Sequence, residues 1–491
     1  MIAYALALRF VFGGALELLH QEGYYWNYAR HLDLGYLDHP PMVGWLAWIA
    51  TWIGGSTELA LRSVSQLCWL VAAIYAWRLA REVGGRPAAL HALLLLALLP
   101  AFFLAGLFLM TEAPLLACWS AGLYYLHRAL IGERRAAWLG VGVAMGLGLL
   151  SKYTMLLLGG SALLFVLLDR DARRWLARPW PYLALALVAA LFAPVLLWNA
   201  THDWASFSYQ SVGRVAEKYH FALQDLVGST LLLLTPPGLW AFAVAFDRRR
   251  ALAEGPRESA AVRGHRLLVT LTAAPLLVFF FVSLFRRVQF NWTVPLWLGL
   301  VPYVALLACS SRWMRATCLA LLVLWGGLAY HLTLGIPGIP LPQDVLGAGK
   351  DDLARQVDEA VRSLHERTGE RPLVVCFDDD QTASWLAFYR GRRGSPSNRD
   401  PRNAVVDETT GGHLFGHKSN MYARWHPAER LLGRYAVLVS SHPSRFHENP
   451  MVAGSVRFLG PAQEVRYTQR GRPAGRYYLR FARLEPDPPE R

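Results

Sequence analysis

Residues 180–198 read "WPYLALALVAALFAPVLLW", without one charged side chain. At a helical rise of 1.5 Å per residue, a run of this length crosses a hydrocarbon core of ~30 Å. Working outward, comparable runs recur at roughly 2–19, 64–81, 88–108, 113–130, 136–150, 153–169, 226–246, 267–285, 292–310 and 313–334. The sequence therefore predicts a mainly α protein: a polytopic transmembrane helical bundle of about 11 spans. The composition agrees, with 54% hydrophobic and only 17% charged residues.

Arginines order the connections. With the N-terminus inside, the cytoplasmic connections carry Arg78, Arg81 and Arg86; Arg128, Arg134 and Arg135; Arg170, Arg173, Arg174 and Arg178; Arg248, Arg249, Arg250, Arg257, Arg263 and Arg266; and Arg312 and Arg315. This asymmetry accounts for most of the net charge of +14, and no motif supports nucleic-acid binding. The expected location is the cytoplasmic (inner) membrane, multi-pass. The five cysteines show no metal-ligand spacing and read as small core residues. The first run lacks a basic flank and a small-residue cleavage site, so it reads as a retained helix.

Beyond the last run the composition changes. "GIPGIPLPQDVL" at 335–346 cannot continue a helix, which predicts a boundary between a membrane domain, 1–335, and a soluble C-terminal domain, 350–491. In the latter, helical periodicity at 351–367, a buried strand at 372–377, a helix ending at Gly391, a second strand at 435–441 and a final hairpin predict a small α/β fold. An odd number of spans puts this domain on the extracytoplasmic face. Its Asp378–Asp379–Asp380 run can bind a divalent cation or cap the following helix; capping is the expectation.

The opposite-side loops gather other chemistry. Glu22, Tyr25, Asp38 and His39 lie in "EGYYWNYARHLDLGYLDHPPM" (22–42); Arg62, Thr111–Glu112, Lys152–Tyr153, His202–Asp203 with Arg214 and Lys218, and Arg286–Arg287 with Gln289 and Asn291 sit at other run ends. Together they predict one polar cavity suited to a lipid-linked phosphate. Arg and Lys would hold the phosphate and a carboxylate would take a proton from an acceptor hydroxyl. Each residue also has a plainer reading. Glu22 can be a solvated loop acid, Asp38 a cap before Pro40–Pro41 and Glu112 a helix N-terminal acid. Lys152, Arg286 and Arg287 can snorkel, and Tyr25 can anchor at headgroup depth.

In order, "QEGYYWNYARHLDLGYLDHPPMVGWL", "LMTEAPLLACWSAGLYYLHRAL", "GLGLLSKYTMLLL", "PVLLWNATHDWASFSYQ" and "NWTVPLWL" resemble the blocks of the dolichyl-phosphate-mannose-protein mannosyltransferase-like family, glycosyltransferase family 39, which includes the lipid A aminoarabinose transferases. The resemblance spans about residues 15–300. It implies a membrane enzyme that takes a sugar from a polyprenyl-phosphate donor and passes it to a protein, lipid or glycan acceptor, amid membrane lipids and usually with inversion. It further implies catalytic roles for Glu22, Glu112 and Asp38, with His39, Arg62, Lys152, Tyr153, Arg286, Arg287 and Tyr25 binding substrate. Gln21 stands where the family commonly has Asp, which leaves Glu22 as the candidate base; Glu112 replaces the usual Asp. The alternatives are a lipid-linked sugar flippase, which paired repeats would favour, and an inactive scaffolding member.

Overall fold

The computed structural model describes residues 1–213, 219–247, 259–289, 291–310, 312–339, 349–394, 408–416, 420–448, 452, 455–469 and 471–485. Four helices are long and apolar enough to cross a membrane: Glu58–Leu98, Pro179–Thr201, Ala260–Ser283 and Arg312–Leu334. Two broken pairs, Ile2–Ala15 with His20–Arg30 and Leu223–Leu234 with Pro236–Phe246, pass the same test jointly, which gives up to six. The remaining apolar runs fall on shorter pieces such as Ala137–Ser151 and Met155–Leu168.

Glycine and proline explain where the runs are cut. The expected spans 64–81 and 88–108 share the helix Glu58–Leu98, interrupted at Gly84 and Gly85, the latter at φ 73°, just before Pro87. The second of them stops at Leu98, and a separate helix, Pro100–Ala105, follows. The run 226–246 bends by 99°, with Thr235 at φ 64° before Pro236, a backbone region that a β-branched residue enters only under constraint.

The chain forms two compact units. The first comprises Met1–Gly13, Leu34–Val43 and Arg62–Tyr330. Here the helix Ala137–Ser151 lies against Pro179–Thr201 through Gly142 and Gly146. A Cβ on Gly142 would stand 2.9 Å from Ala184 O, and one on Gly146 2.7 Å from Leu191, so small residues one turn apart set this close approach. Asp169, 5% exposed, ties further helices together. It accepts from Arg263 at 2.8 Å and Arg266 at 3.1 Å, and its Oδ1 accepts from the Ala172 N–H.

The second unit comprises Gly14–Asp33, Gly44–Leu61 and His331–Arg491, so the tail shares a unit with two N-terminal stretches. Its sheet has six strands: β1 (Leu373–Cys376), β2 (Thr409–Gly411), β3 (Tyr435–Ser440), β4 (Val456–Phe458), β5 (Gln463–Gln469) and β6 (Arg472–Leu484). The order is β2-β1-β3-β6-β4, with β5 also on β6. β1 runs parallel to β2 and β3, and β6 runs antiparallel to its neighbours. Every residue of β1 is buried, as befits a strand covered on both faces. Leu373, Val375, Leu438 and Ala482 pack with Phe415, Leu431 and Phe446, while the helix Lys350–Thr368 packs on β3 and Asp380–Gly394 on β1. The two longer strands, the hairpin and both helices lie where the sequence places them, the second helix running on to Gly394. β2 and β4, three residues each, were not anticipated.

The helix His20–Arg30 belongs to this unit and packs on Asp380–Gly394. Gly23 makes that possible: a Cβ there would stand 2.8 Å from the Trp385 backbone. Asn27 Nδ2 donates to Ser384 O at 3.3 Å, and the Leu18 N–H donates to the Tyr389 hydroxyl at 2.8 Å. Glu17 accepts from the Lys350 N–H at 2.8 Å, closing the N-terminus of Lys350–Thr368, whose free N–H groups favour an anion.

Candidate functional site

In the first unit the centre of the polar chemistry is Glu112. It is the first residue of the helix Glu112–Leu130, and Lys152 caps the C-terminal end of Ala137–Ser151. A carboxylate at a helix N-terminus and an ammonium at a C-terminus are each favoured by the macrodipole. Their side chains form an ion pair, Glu112 being 3% and Lys152 8% exposed. Asn291 Nδ2 donates to the same Glu112 oxygen at 2.8 Å, and the Thr111 hydroxyl donates to the other at 3.2 Å. Lys152 Nζ also lies 5.6 Å from the Trp292 ring centroid.

Tyr153, next in the chain, shares a hydrogen bond of 2.9 Å with the Ser206 hydroxyl. Asn199, wholly buried, accepts from the Ser206 and Phe207 N–H groups at 3.2 and 3.3 Å, which fixes this turn. The Asp38 carboxylate is close enough to act electrostatically on the Tyr153 hydroxyl. Asp38 is buried, and its backbone carbonyl accepts from Gln210 Nε2 at 2.6 Å. His39 is half-buried, and its carbonyl accepts from the Tyr36 N–H in a tight turn.

Arg62 is fully buried. It donates to the carbonyls of Gly13 and Phe12 at 3.2 and 3.5 Å, among the last carbonyls of Ile2–Ala15, which a helix leaves without intrahelical partners. Arg286 is half-buried. Arg287 is mostly exposed and pairs loosely with Asp225 at 3.7 Å. Arg214 and Lys218 lie outside the described residues.

Glu22 and Tyr25 belong to the second unit. Glu22 is fully buried and accepts from the Leu19 N–H at 2.8 Å, so its carboxylate satisfies a backbone donor at the start of its own helix. Tyr25, 4% exposed, packs on Tyr24 and Tyr28. The aromatic residues of this stretch continue into Trp425, on which His31 stacks at 4.5 Å.

The three aspartates after β1 each have protein partners. Asp379 accepts from the Thr382 N–H at 2.5 Å, a helix cap. Asp378 is held by Arg445 at 2.8 Å and by Ser440 and Ser441, and Asp380 by Asn420 at 2.6 Å. Among the described residues, no three His, Cys, Asp or Glu side chains are grouped to hold a metal ion.

Sequence reasoning placed Asn291 only in a polar loop and did not select Gln210, Glu17 or Arg9. The asparagine in "NWT" beside two arginines was the available hint; Glu17 and Arg9 gave none beyond being ionisable within an apolar run.

A membrane-embedded helical bundle with a buried acid–lysine pair at two helix ends, joined in one chain to a small α/β sheet, defines the class. Its fold is that of ArnT from Cupriavidus metallidurans: the apo structure aligns with a TM-score of 0.66 at 16% identity, over 98% of this chain and 96% of that one. The form bound to undecaprenyl phosphate gives 0.65 at 17% identity, over 98% and 97%. Residues 38–198 match the family described as dolichyl-phosphate-mannose-protein mannosyltransferase. The lipid A galacturonosyltransferase RgtD of Rhizobium johnstonii is 29% identical over 205 residues, 38% of this chain and 40% of that protein. The lipopolysaccharide core galacturonosyltransferase RgtA of the same organism is 27% identical over 310 residues, 61% of each. The aligned stretches thus span under two thirds of these relatives' own lengths. The match to the dolichyl-phosphate-mannose-protein mannosyltransferase family covers about a third of the chain, and Asp38, His39, Arg62, Glu112, Lys152 and Tyr153 all lie in the matched segment.

Proposed function

We propose that this protein is a glycosyltransferase that moves a sugar from a polyprenyl-phosphate carrier to an envelope acceptor at the outer face of the cytoplasmic membrane. The observation that carries this reading is the buried Glu112–Lys152 pair: a cation held within an apolar bundle marks a functional site, and it suits a lipid-linked phosphate. In the reaction the acceptor hydroxyl oxygen attacks the anomeric carbon, Glu22 takes the hydroxyl proton, and the bond from that carbon to the phosphate oxygen breaks with inversion. The polyprenyl phosphate leaves with the bonding electrons, held by Lys152, Arg286 and Arg287. Glu112 orients Lys152, and Asp38, His39, Arg62, Tyr153 and Tyr25 shape the binding surface. The names of the two rhizobial relatives make a hexuronic acid the first donor sugar to test and a lipid A or core saccharide the first acceptor.

Topologically we propose about eleven crossings, with 1–335 as the membrane domain and 350–491 as an extracytoplasmic domain that governs acceptor access. The decisive assay incubates the purified chain in nanodiscs with undecaprenyl-phosphate galacturonate and lipid A, and reads the acceptor by mass spectrometry. A mass gain that Glu22→Gln abolishes supports the assignment. Lack of transfer across a panel of polyprenyl-phosphate sugars and acceptors would discard it. A reporter fused after Arg491 should be active only outside the cytoplasm; a cytoplasmic reporter overturns the topology.

A further inference from the structure

Arg9 sits within the apolar helix Ile2–Ala15, 1% exposed, and no carboxylate pairs with it among the described residues. Its surroundings show what it holds. The helix Glu58–Leu98 ends ahead of Pro100, whose ring nitrogen has no hydrogen to donate, so Leu96 O loses the partner that a continued helix would supply. Leu96 O accepts instead from Arg9 Nη2 at 3.1 Å and from the Trp69 indole at 3.2 Å. On the far side of the break, the same Arg9 nitrogen reaches Phe102 O at 3.5 Å. One guanidinium nitrogen therefore bridges the two short ends of the interruption.

Arg9 Nε and Nη1 are buried without a hydrogen-bond acceptor, and aromatic faces cover the guanidinium instead. Arg9 lies 4.0 Å from the Trp69 centroid and 4.8 Å from that of Phe103, so its charge is met by two π faces. Phe103 stacks on Trp325 at 4.0 Å, whose indole donates to Leu98 O at 2.8 Å. Further along, the Ser65 hydroxyl donates to Phe108 O at 2.8 Å, and the Arg62 guanidinium lies 5.4 Å from the Phe108 ring. The irregular connector that leads from Leu96 to Met110 delivers Thr111 and Glu112.

We propose that Arg9 is a positioning residue: it fixes the connector 96–110 across the Leu99–Pro100 break, and through it the placement of Glu112 against Lys152. The proposal rests on the assignment of Glu112 to the transfer site. An ionised side chain in such surroundings is retained where it serves function. An apolar side chain of the same length would pack against Trp69 and Phe103 yet remove the link between the two carbonyls, leaving Leu96 O to the Trp69 indole and Phe102 O to the Gly106 N–H, each on its own side of the break.

The test uses the full chain in nanodiscs with undecaprenyl-phosphate galacturonate as the donor probe. Arg9→Met should remain folded, because an apolar replacement of a buried charge packs well, and should lose roughly 10²-fold in kcat with donor KM little changed, the loss expected from a small misplacement. Amide hydrogen exchange across 99–112 should accelerate. In the Glu112→Gln background the Arg9 substitution should cost nothing further, since both act at one point. Unchanged exchange in 99–112 overturns the proposal whatever the activity, and so does a full multiplicative loss in the double variant. If Arg9→Met does not fold, Trp325→Phe, which keeps the ring and removes the donor to Leu98 O, should show the same exchange and kinetic pattern; the absence of both overturns the idea. Should Glu112→Gln alone keep full activity, it is the role of Glu112 that fails, and the exchange result still decides whether Arg9 fixes the connector.

Discussion

Glu112 opens one helix and Lys152 closes another, and the two are joined as a buried ion pair. Each charge is favoured by the dipole of its own helix, and each offsets the cost of burying the other. Losing one partner is then far worse than losing both. Lys152→Met should destabilise the chain by about 3–5 kcal/mol, because it leaves the Glu112 carboxylate buried without its cation. Lys152→Met combined with Glu112→Leu should recover most of that stability in thermal melts while staying inactive. A double variant as unstable as the single one would show that the pair is not mutually compensating.

Glu22 caps its own helix and is the proposed general base, two roles that one substitution can separate. The amide oxygen of Gln can still accept from the Leu19 N–H, so Glu22→Gln should melt with wild-type protein yet lose at least about 10²-fold in transfer rate, the worth of a general base. Glu22→Ala should also lose the cap, at roughly 1 kcal/mol. Activity of Glu22→Gln within about threefold of wild type would move the proton-accepting role elsewhere.

Gly23 is held to its size by the Trp385 backbone, which cannot rotate away as a side chain can. Gly23→Ala should therefore push the two helices of the second unit apart, at about 1–3 kcal/mol, although alanine is the better helix former. Proteolysis of the chain in detergent, followed at sites between 14 and 33, should become faster. Equal rates would mean that the packing relaxes freely.

His426 sets a pH dependence in the second unit. Burial, with His31, His413 and Arg30 nearby, lowers its pKa from 6.5 to about 3. The folded state thus binds the proton more weakly than the unfolded chain. The stability this contributes is complete above the unfolded pKa and drains as pH falls from about 6.5 toward 3, at no more than ~1.4 kcal/mol per pH unit. His426→Gln should flatten the loss of melting temperature between about pH 7 and pH 5; an unaltered slope would assign it to other groups.

Much of this was legible in the sequence. Charge-free runs bounded by arginine disclosed the bundle, and a switch from long apolar runs to short alternating ones disclosed the sheet. The acid–lysine couple could be suspected because Glu112 and Lys152 each stand at a run end. What escaped was of two kinds. β2 and β4 have three residues each and exist only because β1 and β6 present edges to them, so no local period marks them. Arg9, Glu17 and Asn291 act on partners far along the chain, and Leu96 needs Arg9 only because Pro100 follows it. Neither circumstance leaves a repeat or spacing to read.

The union of residues 14–33 with the tail has a consequence for how the protein is made. Leu18 and its partner Tyr389 are 371 positions apart, so the segment bearing Glu22 leaves the ribosome long before the surface it rests on has been synthesised. Contacts of such separation are slow to form, and a large protein made N-terminus first gathers its units in order of synthesis. A chain cut short before Asp380 would carry every residue proposed for the chemistry and still lack the support for its first helix. The helix that bears Glu22 thus gains its support only once the segment around Tyr389 has been made, which ties the proposed chemistry to late events in synthesis.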